Sequence, residues 1–123
     1  MNRLLALGIA LLICAPAMAQ STQKNITIVG DVIDLVSYVT GGTKPTTPDG
    51  KEIFEQYIKA GSPVGIVSKS NGKVYLATMK ESGKKAADVL IPFVGMKIAA
   101  TGDLYIRGNA RVFVITSVGK SVK

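Results

Sequence analysis

Residues 26–39 read ITIVGDVIDLVSYV, and how this stretch behaves decides the fold. Ile26, Ile28, Val29, Val32, Ile33, Leu35, Val36 and Val39 make it apolar and β-branched well beyond an average segment. That composition predicts one long strand over Ile26–Val39. Gly30 interrupts it. A lone glycine inside a strand marks a bulge or a sharp bend. The apolar residues do not keep to one face across Gly30, as expected of a strand that coils and changes partners midway. The polar run QSTQKN, residues 20–25, comes before it and is expected to fray.

After the strand comes Thr40–Gly50, rich in Gly, Thr and Pro. A connection this long inside a compact domain tends to be functional or disordered. Asp49 with Glu52 forms a capping-box pattern. Ile53, Phe54, Tyr57 and Ile58 then recur at helical spacing, which predicts a short helix over about 50–60. Gly61 and Pro63 end it. Val64–Ser70 and Lys73–Lys80 read as strands joined by Asn71-Gly72, the strongest two-residue hairpin signal. The linker ESGKK leads to a second short helix through Ala86, Ala87, Leu90 and Ile91, stopped near Pro92. Lys97–Arg107 alternates, with Ile98, Ala100, Gly102, Leu104 and Ile106 on one face. Gly108-Asn109 is a tight turn, and Arg111–Val118 is the last strand. VGDVI at 29–33 is echoed by TGDLY at 101–105. Each places Gly-Asp in mid-strand, as two strands would when solving the same closure problem.

Five strands with a helix between the third and fourth is the order of the OB-fold, a five-stranded, partly open Greek-key barrel. The expected class is therefore all-β, a barrel with short helices. GDVIDLVSY, AGSPVGIV, GKVYLA, the helix end LIPF and TGDLY together resemble a set of small exported bacterial OB-fold proteins, over nearly all of residues 20–123. Some members of that set carry a Cys before the Tyr, with His and Cys in the first loop, which suggests a metal or redox site. Here Ser37 precedes Tyr38 and the loop 40–61 has neither residue, so the resemblance implies the fold without the metal.

The front of the chain has a separate reading. MNRLLALGIALLICAPAMAQ has one basic residue, Arg3, then an apolar run, then Ala17 and Ala19 in a small-x-small pattern. This is the anatomy of a secretory signal cut after Ala19. The apolar run is shorter than the roughly 20 residues a membrane-spanning helix needs. Ile13 before Cys14 argues against a lipoprotein. Cleavage would leave one domain, residues 20–123, for the periplasm or secretion. It would hold no Cys and no His. Disulfides are then excluded, and zinc, haem and copper sites are disfavoured, so no cofactor is expected. Removing Arg3 leaves 14 basic against 8 acidic residues. An excess of cations attracts anions. Export argues against nucleic acid and towards an anionic glycan, a lipid headgroup or an acidic face of an envelope protein.

Catalytic patterns are weak. Ser70–Lys73 and Ser82–Lys85 match S-x-x-K, but on a turn and in a linker rather than along a helix, so nucleophile and base are not set one turn apart. Asp31 and Asp103 would make an acid–base pair only if β-pairing brought them together in a cleft. Asn25-Ile26-Thr27 fits a glycosylation pattern that a bacterial-type leader makes irrelevant.

The OB binding face remains. Ligands there cross strands 2 and 3 between the first and last interstrand loops. Those loops bring Lys44 and Lys51, and Arg107, Asn109 and Arg111; Tyr38 and Tyr75 could offer flat stacking surfaces. The expectation is a non-enzymatic binding or adaptor module. The rivals are an envelope structural or stress protein that associates with a protein partner, and a small hydrolase.

Overall fold

A computed structural model describes residues 20–121. The expected leader, its cleavage site and Cys14 lie outside the described residues. The order is β1 (Ser21–Asp34), α1 (Leu35–Gly41), α2 (Pro48–Lys59), β2 (Val64–Ser68), β3 (Val74–Met79), α3 (Ala86–Leu90), a 3-10 turn (Ile91–Phe93), β4 (Lys97–Arg107) and β5 (Ala110–Lys120). The strands close into a barrel in the order β1-β2-β3-β5-β4. All neighbours are antiparallel except β3 and β5, which run parallel from Leu76 beside Val112 to Met79 beside Ile115. This is the expected OB-type barrel.

Closure depends on β1 serving two neighbours. Its C-terminal part pairs with β2 from Gly30 to Asp34, and its longer N-terminal part pairs with β4. Gly30 is opposite Ser68 on one side and Ile98 on the other. A Cβ at Gly30 would sit 2.0 Å from the Val67 carbonyl oxygen, and one at Gly102 would sit 2.1 Å from that of Val114. The two Gly-Asp steps are therefore places where backbones approach too closely for any side chain. Beside Gly102 the β4–β5 register slips, and the Thr116 hydroxyl donates to the Thr101 carbonyl at 2.9 Å.

Residues 21–25 do not fray. Ser21–Gln23 continue the ladder with β4, and a second register shift follows before Ile26. At that shift Asn25 takes φ 53° and donates its amide to the Asp103 carboxylate at 2.9 Å. Asp103 is buried, with Lys24 and Lys80 at 3.6 and 3.5 Å. Residues 20–25 look soluble in isolation, but a side chain far along the sequence holds them.

The long strand predicted to reach Val39 stops at Asp34, and Leu35–Gly41 is a helix. The Asp34 carboxylate is fully buried. It accepts from the Ser37 amide at 3.0 Å and from the hydroxyls of Ser37 and Ser62. It thus caps α1 and ties it to the approach to β2. Gly42, at φ 64°, ends the helix in the left-handed conformation. Gly65 lets α1 lie on the outside of β2, since a Cβ there would meet Leu35 Cδ1 at 2.9 Å. β2 is accordingly buried along its whole length.

Two further boundaries differ from the sequence reading. Thr47, not Asp49, caps α2: its hydroxyl accepts from the Gly50 amide at 3.1 Å, and Pro48 opens the helix. The β2–β3 turn spans residues 69–72 rather than Asn71-Gly72 alone, because Ser68 already donates to the Lys73 carbonyl at 2.9 Å. Only Gly72 of the pair has positive φ. Phe54 and Ile58 of α2, with Leu90 and Val94, are buried over the barrel end where β1 finishes and β4 starts. Each such side chain contributes about 1.5–3 kcal/mol. Phe113 and Ile115 point inward from β5.

Two expectations follow. Gly30→Ala and Gly102→Ala each destabilise by about 3 kcal/mol or more, whereas Gly119→Ala, with nothing within 4 Å of the added Cβ, is near neutral in urea denaturation. Burial pushes the Asp34 carboxyl up, but its bonds from Ser37 and Ser62 outweigh this and hold it below the ordinary aspartate value. A carboxyl with a lowered folded-state pKa stabilises the fold above its unfolded value and loses that contribution as pH falls through the folded value. Stability should therefore drop as pH falls below about 4. Asp34→Asn should be about 2 kcal/mol less stable at pH 7 and show a shallower acid limb.

Candidate functional site

Helices cover one end of the barrel, and the opposite end is open. At Gly30, β1 parts from β2 to follow β4. The last tie across the gap is the Lys69 amide to the Val29 carbonyl at 2.9 Å. Beyond it a wedge opens between the N-terminal half of β1, the β2–β3 turn and the β4–β5 tip. It is a cleft of about 440 Å³, within the size range of small-ligand sites.

Ile26, Ile28, Leu104 and Ile106 give the cleft an apolar lining, and Tyr75 joins them from β3. Gln23, Ser70, Asn71, Lys73 and Arg111 supply its polar groups. The turn is internally ordered. Asn71 accepts from the Lys73 amide at 2.9 Å and donates through Nδ2 to the Tyr75 hydroxyl at 3.3 Å, while the Ser68 and Ser70 hydroxyls pair at 3.1 Å. The Tyr75 oxygen thus accepts one bond and keeps its own proton to give.

Charge is distributed unevenly. Lys24 and Lys80 face Asp103, Lys51 faces Glu55, and Lys84 faces Glu81. Among the described residues neither Lys73 nor Arg111 forms a salt bridge. The mouth therefore holds uncompensated positive charge above an apolar floor, where reduced solvent access strengthens attraction for an anion.

The seven residues singled out from sequence do not form one site. Tyr75 and Arg111 line the cleft. Tyr75 is 5% exposed, so its ring is a wall and not a stacking platform. Arg107 and Asn109 are exposed at the neighbouring tip, with Arg107 Nη2 donating to Gln20 Oε1 at 2.5 Å. Tyr38 is half-buried on α1, packed against the core. Lys44 and Lys51 stand elsewhere. The Lys44 carbonyl accepts from the Thr47 hydroxyl at 3.2 Å, and Lys51 lies along Gly95 at the helix-covered end, 3.9 Å from Glu55. The first interstrand connection leaves the barrel from that end, which carries its lysines away from the cleft.

Sequence reading missed Lys73, Asn71 and the apolar lining from β1. Asn71-Gly72-Lys73 was legible as a turn, but which other segments share its end of the barrel depends on register. The acid pair does not assemble. Asp31 is opposite Lys97 and Asp103 is opposite Val114, six positions along β4 and so roughly 20 Å apart. Burial raises the Asp31 carboxyl, with Lys97 and Lys69 partly offsetting it. The Asn25 amide, with Lys24 and Lys80, holds Asp103 low. Ser70 bonds Ser68 rather than Lys73. Among the described residues no three His, Cys, Asp or Glu side chains gather as metal ligands would.

Fold and site together define a closed five-stranded OB-type barrel with one end covered by helices and a cationic, apolar-floored cleft at the other. Comparison with protein-family models, curated proteins and solved structures finds no match to this chain. Among the described residues no helix is long and apolar enough to cross a membrane.

Proposed function

We propose that this protein is an exported, non-catalytic binding module whose barrel mouth takes an anionic group of lipid-headgroup size. One observation carries this reading: Lys73 and Arg111, unpaired among the described residues, converge on a cleft of about 440 Å³ with an apolar floor. Charge-assisted bonds from a lysine and an arginine to an oxyanion are the strong kind, and the Tyr75 hydroxyl adds a neutral donor. A sugar ligand would call for an exposed aromatic face, and Tyr75 presents its edge of the cleft as a buried wall. That favours a headgroup over an anionic glycan. The leader-like residues 1–19 and the resemblance to small exported OB-fold proteins support an envelope setting.

Thermal shift of the purified protein with glycerol phosphate at low ionic strength tests this, because a ligand that binds only the native state raises Tm. A positive shift is expected. It should shrink in 0.5 M salt, since screening weakens exposed charge pairs. Lys73→Ala and Arg111→Ala should each weaken binding about tenfold, while Lys44→Ala with Lys51→Ala leaves it unchanged. Equal binding by all these variants would place the ligand elsewhere.

A further inference from the structure

We propose that the ligand is an anionic amphiphile: its head sits at Arg111 in the mouth cleft and its single apolar chain lies in a trough between α1 and the β3–β5 seam. The inference rests on the headgroup reading above and extends it to the rest of the molecule.

Arg111 lines two depressions. One is the mouth cleft. The other, about 290 Å³, is lined by Leu35, Val39, Val74, Leu76, Ala110 and Val112 beside it. It continues into a shallower hollow of about 260 Å³ along Leu35, Val36, Val39 and Thr40. Apart from Arg111 at its edge, no side chain lining these two hollows is charged.

α1 is an unusual helix to leave in water. Its sequence, LVSYVTG, has no charge and none of its residues is fully buried. Val36 is 50% exposed and Val39 is 66% exposed. Leu35 and Tyr38 pack on the core, while Val36 and Val39 face outward, so the packed face of α1 does not account for its valines. The Asp34 carboxylate, clamped by Ser37 and Ser62, and the Gly65 gap in β2 hold it against the barrel. A polar clamp that keeps valines in the open is the arrangement expected where those valines meet something apolar, and contiguous exposed apolar surface marks such sites.

The cation at the junction sets what that apolar occupant carries. A neutral chain would leave Arg111 unanswered, and a chain ending in an anion answers it. Val39 lines both hollows and Val36 the second, which suits reception of one chain better than wedging into a bilayer. Each methylene the trough buries should tighten binding by up to roughly fourfold.

Isothermal titration with butyl, octyl and dodecyl phosphate, each kept dispersed as monomer, tests this on the purified protein and on two variants that spare the core, Val36→Asn with Val39→Asn, and Arg111→Ala. The expected result is at least tenfold tighter binding of dodecyl than of butyl phosphate. The double valine variant should bring dodecyl down to the butyl value without changing butyl, and Arg111→Ala should weaken all three. Equal affinity at every chain length, or an unchanged dodecyl affinity in the valine variant, overturns the trough while the headgroup reading stands. No binding of any of the three overturns both. Retention on phosphatidylglycerol vesicles without binding of the monomers overturns it in favour of a membrane-facing surface.

Discussion

A single glycine with two β-neighbours is the constraint from which the rest of the structure descends. At Gly30 the backbone of β1 must pass within contact distance of the Val67 carbonyl, where no side chain fits. Only there can the strand turn from β2 to β4 and let five strands close. Closure removes exposed sheet edges, which a chain so rich in valine and isoleucine could not leave open without inviting aggregation. The same turn creates the site. Once β1 follows β4, nothing fills the angle it leaves beside the β2–β3 turn, and the cleft is that angle.

The polar groups inside the molecule are few, and each anchors a departure from regular structure. Asp103 accepts the amide of Asn25 at a β-bulge. Asp34 accepts from α1 and from the segment leading to β2. Both carboxylates are buried and both are satisfied, as buried charge must be. Among the described residues no buried side-chain nitrogen or oxygen lacks a hydrogen-bond partner. That matching does not extend to the surface, where the unpaired cations at the mouth and the open valines of α1 are two exceptions among several.

These two exceptions meet at Arg111. Parallel pairing of β3 and β5 begins only at Leu76 and Val112, so the seam is unzipped toward the mouth just where Tyr75, Arg111 and Ala110 lie. A cleft on one side of Arg111 and a trough on the other are consequences of that late start. Their chemistry, one polar and one apolar, follows from which side chains of β1 and of α1 flank the seam.

The number of strands, the bends at both Gly-Asp steps, the helix through Phe54 and Ile58, and the barrel itself were legible in the sequence, because each has a local signature: alternation, a lone glycine in a strand, or helical spacing. α1 was not, although Asp34 before it and Gly41-Gly42 after it are proper caps. Leu35, Val36 and Val39 are β-branched or aliphatic enough to extend the preceding strand, and the Ser62 hydroxyl, the Gly65 gap and the core under Leu35 and Tyr38, all reached from elsewhere in the chain, favour the helix. The cationic tips were legible as residue types. Their assembly was not: Lys44 and Lys51 belong to the first interstrand connection, expected beside Arg107 and Arg111, yet the barrel sends that connection to its far end, and it brings Lys73 to Arg111 instead. Sequence by itself determined which segments are extended and where they bend, since backbone propensity and periodicity act over a few residues. Tertiary structure alone decided which side chains face one another, since register and closure depend on contacts between residues far apart in the chain.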